Sequence, residues 1–424
     1  MMKRAELLVP AGSPSRLKTA ILYGADAVYA GAPDLSLRAN SEFVLDTLVE
    51  GIEYAHNMGK KVYLTLNLFT HNSDIEKLPV FVKTLRTVRP DGVIVSDPGV
   101  FAFMRENASE IPLHISTQAN VCSWLTVKFW QDMGAKLCIL GREVGFAEIK
   151  EIREKCPDIR LEMFVHGAMC MSYSGRCLLS SFMAGRPANK GQCAHSCRWK
   201  YKVYLEEEER PGEFIPIEED DKGTYLMNSK DLCLMPKLPD ILALGIDSLK
   251  IEGRHKSDYY VAMTSRIYRK AIDAWYENPE KWRAEPFMDE LATMQSRGFT
   301  LGFFEGMPKA VDYNYQSTLS TGGRLSVGTV SEVREDALVM TVNNRIQKED
   351  KIEFLSPYQF EPLKVKIAKV IDAKSGGELD KVSAGKIGQA IIIPFAFFKG
   401  MKAQNIKRLL PVLTVARSCV AGAS

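Results

Sequence analysis

The sequence predicts an α/β protein. Its fold is an eight-stranded parallel β/α (TIM-like) barrel carrying a cysteine-rich insertion, followed by a small C-terminal antiparallel β-barrel. Three observations carry this. In residues 1–280, short β-rich apolar runs alternate with longer segments of helical spacing, the rhythm of a parallel sheet with right-handed crossovers. Eight such runs fit within roughly 250 residues, the size of a β/α barrel. From residue 323 the helical spacing gives way to β-branched strands separated by turn residues, the pattern of a small antiparallel barrel.

The expected barrel strands, in order, are ELLVPAG (6–12), AVYAG (27–31), KVYLTLNL (61–68), GVIVSD (92–97), LHISTQA (113–119), KLCILGRE (136–143), RLEMFVHG (160–167) and IDSLKIEG (246–253). Helix candidates between them include 13–24, 74–88, 122–134 and 146–156, and a long amphipathic run, 258–278, follows the last strand. An open doubly wound sheet is the alternative, but the first βα turn, PAGSPS, is not a dinucleotide fingerprint. The alternation breaks once, at about 168–240, where an insertion takes the place of a single helix. It holds the acidic run 206–210 and a hairpin expected to join KYKVYLEE to GTYLMNS. An insertion after a barrel strand lies on the C-terminal face, where such barrels place their active sites. Residues 281–322 read as a linker, and 323–424 as the tail barrel.

Composition is that of a soluble globular protein, with 46% hydrophobic and 25% charged residues. The basic N-terminus lacks the apolar run of a signal peptide. The longest apolar run, AIIIPFAFF (390–398), is too short to span a bilayer. A cytoplasmic protein without a membrane partner is expected. Net charge is +3, with the surplus in residues 301–424, which hold 17 Lys and Arg against 12 Asp and Glu. That favours a polyanionic partner for the tail.

Structural disulfides do not suit a reducing cytosol. Cys122, Cys138, Cys156 and Cys419 lie singly among apolar neighbours and read as buried small hydrophobes. The other five, Cys170, Cys177, Cys193, Cys197 and Cys233, fall within the insertion at the spacing C-x6-C-x15-C-x3-C-x35-C. An iron–sulfur cluster takes four thiolates at irregular spacing, and Arg176 and Arg198 would balance its charge. A structural zinc site is a second reading, although only Cys193 and Cys197 have close spacing. Nucleophilic thiols are a third. Spacing alone leaves all three open.

The segments ELLVPAG and YGADAVYAG, then FVHGAMCMSYSGRCLLSSFMAGRPANKGQCAHSCRW, then SKDLCLMPKLPDILALGIDSLKIEGR resemble peptidase family U32, the collagenase-like proteases. The likeness runs through most of the first 280 residues. Bacterial members of this family include iron–sulfur proteins that install hydroxyl groups without molecular oxygen on tRNA, ribosomal RNA or the ubiquinone ring. Chain length and tail are most similar to the members that hydroxylate tRNA uridine at position 5 with prephenate. The resemblance implies a 4Fe–4S cluster on Cys170, Cys177, Cys193 and Cys233, with Cys197 as the competing ligand in part of the family. It also implies prephenate as oxygen donor or cosubstrate, tRNA as partner, and room for a second family subunit.

Barrel geometry selects residues independently. The polar groups near strand ends are Asn67, Asp97, Gln118, Asn120, Arg142, Glu143, His166, Glu252 and Arg254. His166, Glu252 and Asn120 are the catalytic candidates. Arg142, Arg254 and Arg176 are the candidates for binding an anionic small molecule through its carboxylates. Bland readings stand beside these: His166 as a packed histidine, Glu252 paired with Arg254 on one face of the strand, Asn67 and Asn120 as helix caps.

The tail resembles translation-factor barrels in VGTVSEV and EDKIEFLSP. Its RNA-contact candidates are Lys348, Lys351, Lys364, Lys366, Lys399, Lys402, Lys407 and Arg408, with Phe397 and Phe398. The expected function is oxygen-independent 5-hydroxylation of the wobble uridine of tRNA. A Cys-dependent peptidase using His166 or His195 is one alternative, and no hydrolase motif supports it. A non-catalytic RNA-binding protein with structural zinc is the other.

Overall fold

The structure is a computed structural model. It describes residues 4–31, 43–67, 70–169, 177, 179–186, 193–199, 204–205, 212, 215–216, 230–306, 323–383 and 389–421. Strands β1 (Glu6–Ala11), β2 (Ala27–Gly31), β3 (Lys61–Leu66), β4 (Gly92–Val95), β5 (Leu113–Ile115), β6 (Leu137–Ile139) and β7 (Arg160–Ala168) pair in parallel in sequence order. A short hairpin follows, β8 (Tyr204–Leu205) with β9 (Ile215–Pro216), and then β10 (Asp231–Cys233). The next strand, β11 (Ser248–Ile251), pairs in parallel with both β1 and β7 and closes the barrel. Helices α1 (Pro14–Leu22), α2 (Leu45–Asn57), α3 (Asn72–Ile75), α4 (Leu78–Val88), α5 (Pro98–Asn107), α6 (Trp124–Asp132) and α7 (Phe146–Lys155) fill the crossovers. The insertion carries α8 (Leu179–Ala184), α9 (Leu238–Ala243) precedes β11, and α10 (Asp258–Glu277) follows it. Entry to several helices is fixed by caps: the Ser13, Ser123 and Ser257 hydroxyls accept backbone N–H bonds at the starts of α1, α6 and α10.

The expected barrel is therefore present, with three local differences. The fifth expected strand stops at Ile115 and turns into a 3-10 helix over Thr117–Ala119. In the insertion Tyr204 pairs with Pro216, a partner the sequence does not announce; the GTYLMNS half of the expected hairpin lies outside the described residues, as does the acidic run. Much of the segment expected as linker is ordered structure. Helix α11 (Glu285–Ala292) packs on α10, and β12 (Phe299–Thr300) extends the sheet by pairing with β10. Leu291, Met294 and Phe304 of this segment are buried in the barrel's hydrophobic cluster.

The tail is an eight-stranded antiparallel sheet containing β13 (Arg324–Val333), β14 (Ala337–Val342), β16 (Lys351–Leu355), β17 (Leu363–Lys366), β18 (Val370–Asp372), β19 (Glu378–Leu379), β21 (Ala390–Pro394) and β22 (Val415–Ala421). A two-stranded ribbon of β15 (Ile346–Gln347) and β20 (Lys381–Val382) accompanies it. Among the described residues its edge strands β17 and β19 do not pair, so it is a half-barrel. Helix α12 (Ala403–Leu409) packs Ile406 into its core.

Tail and barrel share a buried seam. The Tyr23 hydroxyl, at the end of α1, donates to Leu355 O at 2.6 Å and accepts from Val415 N at 3.0 Å. Arg417 bridges Glu353 on the tail (2.8 Å) and Glu290 on α11 (3.1 Å), and Arg266 of α10 reaches Glu290 at 3.0 Å and Ser356 O at 3.2 Å. Both arginines are almost fully buried, so their charges depend on these partners.

Candidate active site

Alternation along the strands sends Tyr29, Thr65, Phe164, Lys250, Glu252 and Arg254 toward the barrel axis. Near the C-terminal ends they form a layered polar site. Its floor is a buried ion pair: Lys250 Nζ lies 2.8 Å from Glu162 Oε1, and Ser248 Oγ donates to Glu162 Oε2 at 2.7 Å. Lys250 Nζ also sits over the Tyr29 ring at 4.5 Å and near the Phe164 ring at 5.5 Å. Above it, the Arg142 guanidinium stacks on the Phe164 ring at 3.9 Å and reaches Glu252 Oε2 at 3.3 Å. Arg254 lies 5.9 Å from the Tyr29 ring centre and donates to Thr65 Oγ1 at 3.3 Å. Three cations thus border two aromatic faces, an arrangement that holds guanidinium groups in fixed planes without consuming all their donors. Two carboxylates, Glu162 and Glu252, face them. Burial, with the Glu252 charge next, raises the Tyr29 phenol well above its usual value, so it stays protonated and donates to Ile251 O at 3.0 Å.

The turn after β1 closes one side. A Cβ on Gly12 would lie 2.1 Å from Arg254 O and 2.7 Å from Arg16 Nη1. Only a glycine lets the first and last strand ends approach this closely.

Glu252 and Arg254 do share a face, but they do not pair with each other: each takes a partner from across the mouth. Asn67 and Asn120 do not cap the following helices. Asn67 Nδ2 donates to Ser116 Oγ at 3.1 Å, while Asn120 ends the 3-10 turn in a left-handed conformation, φ 59°. Asp97 is the N-cap of α5, accepting from Gly99 N and Val100 N at 2.8 and 3.0 Å.

His166 is turned away from this group. The β7–β11 register slips between Lys250 and Ile251, pairing Lys250 with Phe164 but Ile251 with His166. The extra residue, Val165, is a bulge that reverses the facing of the residues after it. His166 is 2% exposed and sits among the rings of Tyr260, Tyr268 and Phe299. Burial holds its imidazole down to about 4, neutral at physiological pH. Cys233, its antiparallel partner on β10, is 2% exposed. Its Sγ lies 3.8 Å from the Tyr268 hydroxyl and 3.7 Å from Met288 Sδ. Burial pushes this thiol up to about 11. A neutral imidazole beside a protonated thiol is the reverse of the thiolate–imidazolium pair of a cysteine peptidase.

Cys177, Cys193 and Cys197 are half-buried thiols of the insertion. The Ser180 hydroxyl ties α8 to this stretch, accepting from Ala194 N at 2.8 Å and donating to Arg186 O at 2.6 Å. Cys170 and Arg176 lie outside the described residues. Among the described residues no three His, Cys, Asp or Glu side chains converge to hold a metal. The donor chemistry, three accessible thiols near a fourth in sequence, suits a soft metal centre, but the described part does not assemble one. Cys138 and Cys156 are buried as expected, whereas Cys122 and Cys419 are half-buried.

In the tail, Phe398 is 4% exposed and packs on Phe354 at 5.5 Å, so it is core rather than a base-stacking surface. Among the described residues no helix is long and apolar enough to cross a membrane.

The family model described as peptidase family U32 matches residues 12–314, which cover the barrel from the turn after β1, the insertion and α11. The chain belongs to peptidase family U32. Within it, this U32 chain is 40% identical over 403 residues to "tRNA hydroxylation protein P" of Escherichia coli, covering 84% of this chain and 87% of that one. It is 37% identical over 382 residues to "tRNA hydroxylation protein P1" of Bacillus subtilis, covering 89% of each. It is also 31% identical over 358 residues to the "23S rRNA 5-hydroxycytidine C2501 synthase" of Escherichia coli, covering 83% of this chain and 52% of that protein.

Of the strand-end candidates, Arg142, Glu252 and Arg254 lie together at the mouth. Strand-end reasoning missed Tyr29, Thr65, Phe164, Lys250 and Glu162, which lie deeper on the same inward faces; every second residue of each strand carries that signal.

Proposed function

We propose that this chain is an RNA-modifying enzyme that hydroxylates the anticodon wobble uridine of tRNA at carbon 5. In this reading prephenate supplies the oxygen, and a 4Fe–4S cluster is held by Cys170, Cys177, Cys193 and either Cys233 or Cys197. Relatives named for tRNA hydroxylation and for rRNA 5-hydroxycytidine synthesis support the reaction class. The observation that carries the small-molecule side is the pair of guanidinium groups at the barrel mouth. Arg142 and Arg254 rest on Phe164 and Tyr29 and present donors to a dicarboxylate, while Lys250 beneath them is neutralised by Glu162. An incoming carboxylate would take Arg142 from Glu252, leaving that glutamate free to accept a proton within the mouth. When bound, the cluster would supply redox or Lewis-acid chemistry. The cytoplasm, where tRNA and prephenate meet, is the setting this reaction requires.

Mass spectrometry of tRNA nucleosides from a deletion strain, with and without the restored gene, tests the reaction. Loss and recovery of 5-hydroxyuridine is the expected result; unchanged modified nucleosides would sink it. Anaerobic purification should give about four irons and four sulfides per chain, and Cys170→Ala should remove both the chromophore and the modified base. One zinc per chain would instead favour the structural-zinc reading. Thiol-sensitive cleavage of casein would favour the peptidase.

A further inference from the structure

We infer that the tail meets RNA through its β16–β17 edge, where Lys351, Lys364 and Lys366 form a phosphate-binding strip level with the barrel mouth. The more basic α12 end is not the contact. This rests on the RNA-modification reading above. Three contacts fix the direction of the tail. At one end of the seam, Tyr23 of α1 bonds Leu355 O, and Arg266 of α10 bonds Ser356 O. Further along α10 toward its start, Met263 Sδ lies 3.8 Å from Arg417 Nη1, and Arg417 is the register partner of Glu353. Strand β16 therefore runs against α10. From Glu353 to Lys351 is two residues, about 7 Å of strand. From Met263 to Asp258 is five residues, about 7.5 Å of helix. Lys351 is thus level with the first turn of α10. That turn stands at the mouth, where the Tyr260 hydroxyl donates to Glu252 O at 2.8 Å.

The register then concentrates charge there. Lys351 lies directly opposite Lys366, and Lys364 fills the next rung opposite Glu353. Like charges directly opposite destabilise a pair of strands; Glu349 answers Lys366 of this rung, and a phosphate at the edge would answer Lys351. Lys364 and Lys366 are 74% and 55% exposed. Glu353 is 2% exposed and engaged by Arg417, Arg324 and, at 4.0 Å, Lys364, so it is not a free charge; exposed Glu349, paired with Lys366, and exposed Glu361 flank the two strands. Lys256, two residues before α10, is exposed and sits over the Tyr260 ring at 5.4 Å. The rival surface, α12, is bonded to the far end of the seam through Ser356 Oγ and Leu409 O at 2.8 Å. An RNA whose base enters the mouth would pass the β16–β17 edge first.

The test compares two triple variants of the full chain in binding to unmodified tRNA across a salt series. Lys351→Gln with Lys364→Gln and Lys366→Gln should weaken binding roughly tenfold or more near ~0.1 M salt. It should also lower the slope of log affinity against log salt by about one unit per lysine. Lys402→Gln with Lys407→Gln and Arg408→Gln should leave both unchanged. The opposite pattern overturns the inference. So does a β16–β17 variant that self-associates yet keeps full tRNA affinity, since edge lysines also prevent sheets from pairing. A wild-type chain that binds no tRNA removes the RNA reading itself; a chain that binds tRNA with both variants unaffected removes only this surface.

Discussion

Cys233 stands directly opposite His166 across the β7–β10 pair, and the Tyr268 hydroxyl lies between them, 3.8 Å from the sulfur and 3.5 Å from Nδ1. All three are buried on the α10 side of the barrel wall, behind the mouth. This separates Cys233 from the half-buried thiols Cys177, Cys193 and Cys197 in chemical character. Raising a thiol from 9.0 to about 11 reduces its thiolate at neutral pH about a hundredfold. In metal-free protein, N-ethylmaleimide followed by peptide mapping should modify buried Cys233 far more slowly than half-buried Cys193. Equal rates would mean that β10 does not pack as described.

The same contrast bears on the choice between Cys233 and Cys197. If Cys233 supplies the fourth thiolate, its sulfur exchanges the 3.8 Å contact with the Tyr268 hydroxyl for the metal. A cluster retained in Cys197→Ser and lost in Cys233→Ser, read from the iron–sulfur absorbance, would assign the ligand to Cys233. The reverse would assign the ligand to Cys197, with Cys233 a core residue.

The barrel is legible because its signals are periodic. Strand and helix spacings repeat over roughly 250 residues, and Glu252 and Arg254, two apart, announce a shared face. The features that escape the sequence are those that depend on register. One extra residue, Val165, rotates His166 out of the mouth, and nothing in RLEMFVHG marks it. The Arg142–Glu252 contact joins residues 110 apart, which no local pattern encodes. Helix α11 reads as linker because eight residues give barely two turns of periodicity. Two-residue strands such as β15 and β20 are shorter than any alternation can show.

Arg142 and Glu252 can be told apart kinetically. Arg142→Met removes a charge-assisted carboxylate contact, worth about 1.5–3 kcal/mol. The KM for the dicarboxylate donor should therefore rise about 10- to 100-fold, with kcat little changed. Arg254→Met should do the same. Glu252→Gln frees Arg142 and should not raise KM. If Glu252 accepts a proton during turnover, kcat falls instead. Steady-state hydroxyuridine formation over a range of donor concentrations separates these outcomes, and an unchanged KM in both arginine variants would place the donor elsewhere.

The seam between barrel and tail predicts a stability effect from one oxygen atom. Tyr23→Phe deletes a hydroxyl that donates to Leu355 O and supplies the acceptor for Val415 N, both on fully buried residues. Each orphaned backbone group costs about 1–3 kcal/mol. Urea unfolding should show a loss of about 2–4 kcal/mol, with tail and barrel transitions beginning to separate. A variant as stable as wild type would mean that water reaches the seam.

His114 sets an acid limit on the barrel. It is 2% exposed, its ring lies 4.7 Å from that of Tyr63, and its Nδ1 has no hydrogen-bond partner among the described residues. Burial, then the charges of Arg160, Lys250 and Lys61, lower it from 6.5 to about 3. Between those values the unfolded chain binds a proton that the folded chain does not. Stability therefore falls as pH drops below about 6.5, by up to about 1.4 kcal/mol per pH unit, and the loss levels off below about 3. His114→Phe keeps a ring against Tyr63 and removes the titration. Between about pH 7 and pH 5, wild type should lose about 2 kcal/mol more than the variant in urea unfolding. Equal losses would show that His114 takes up its proton in the folded state, with the surrounding cations moving to admit it.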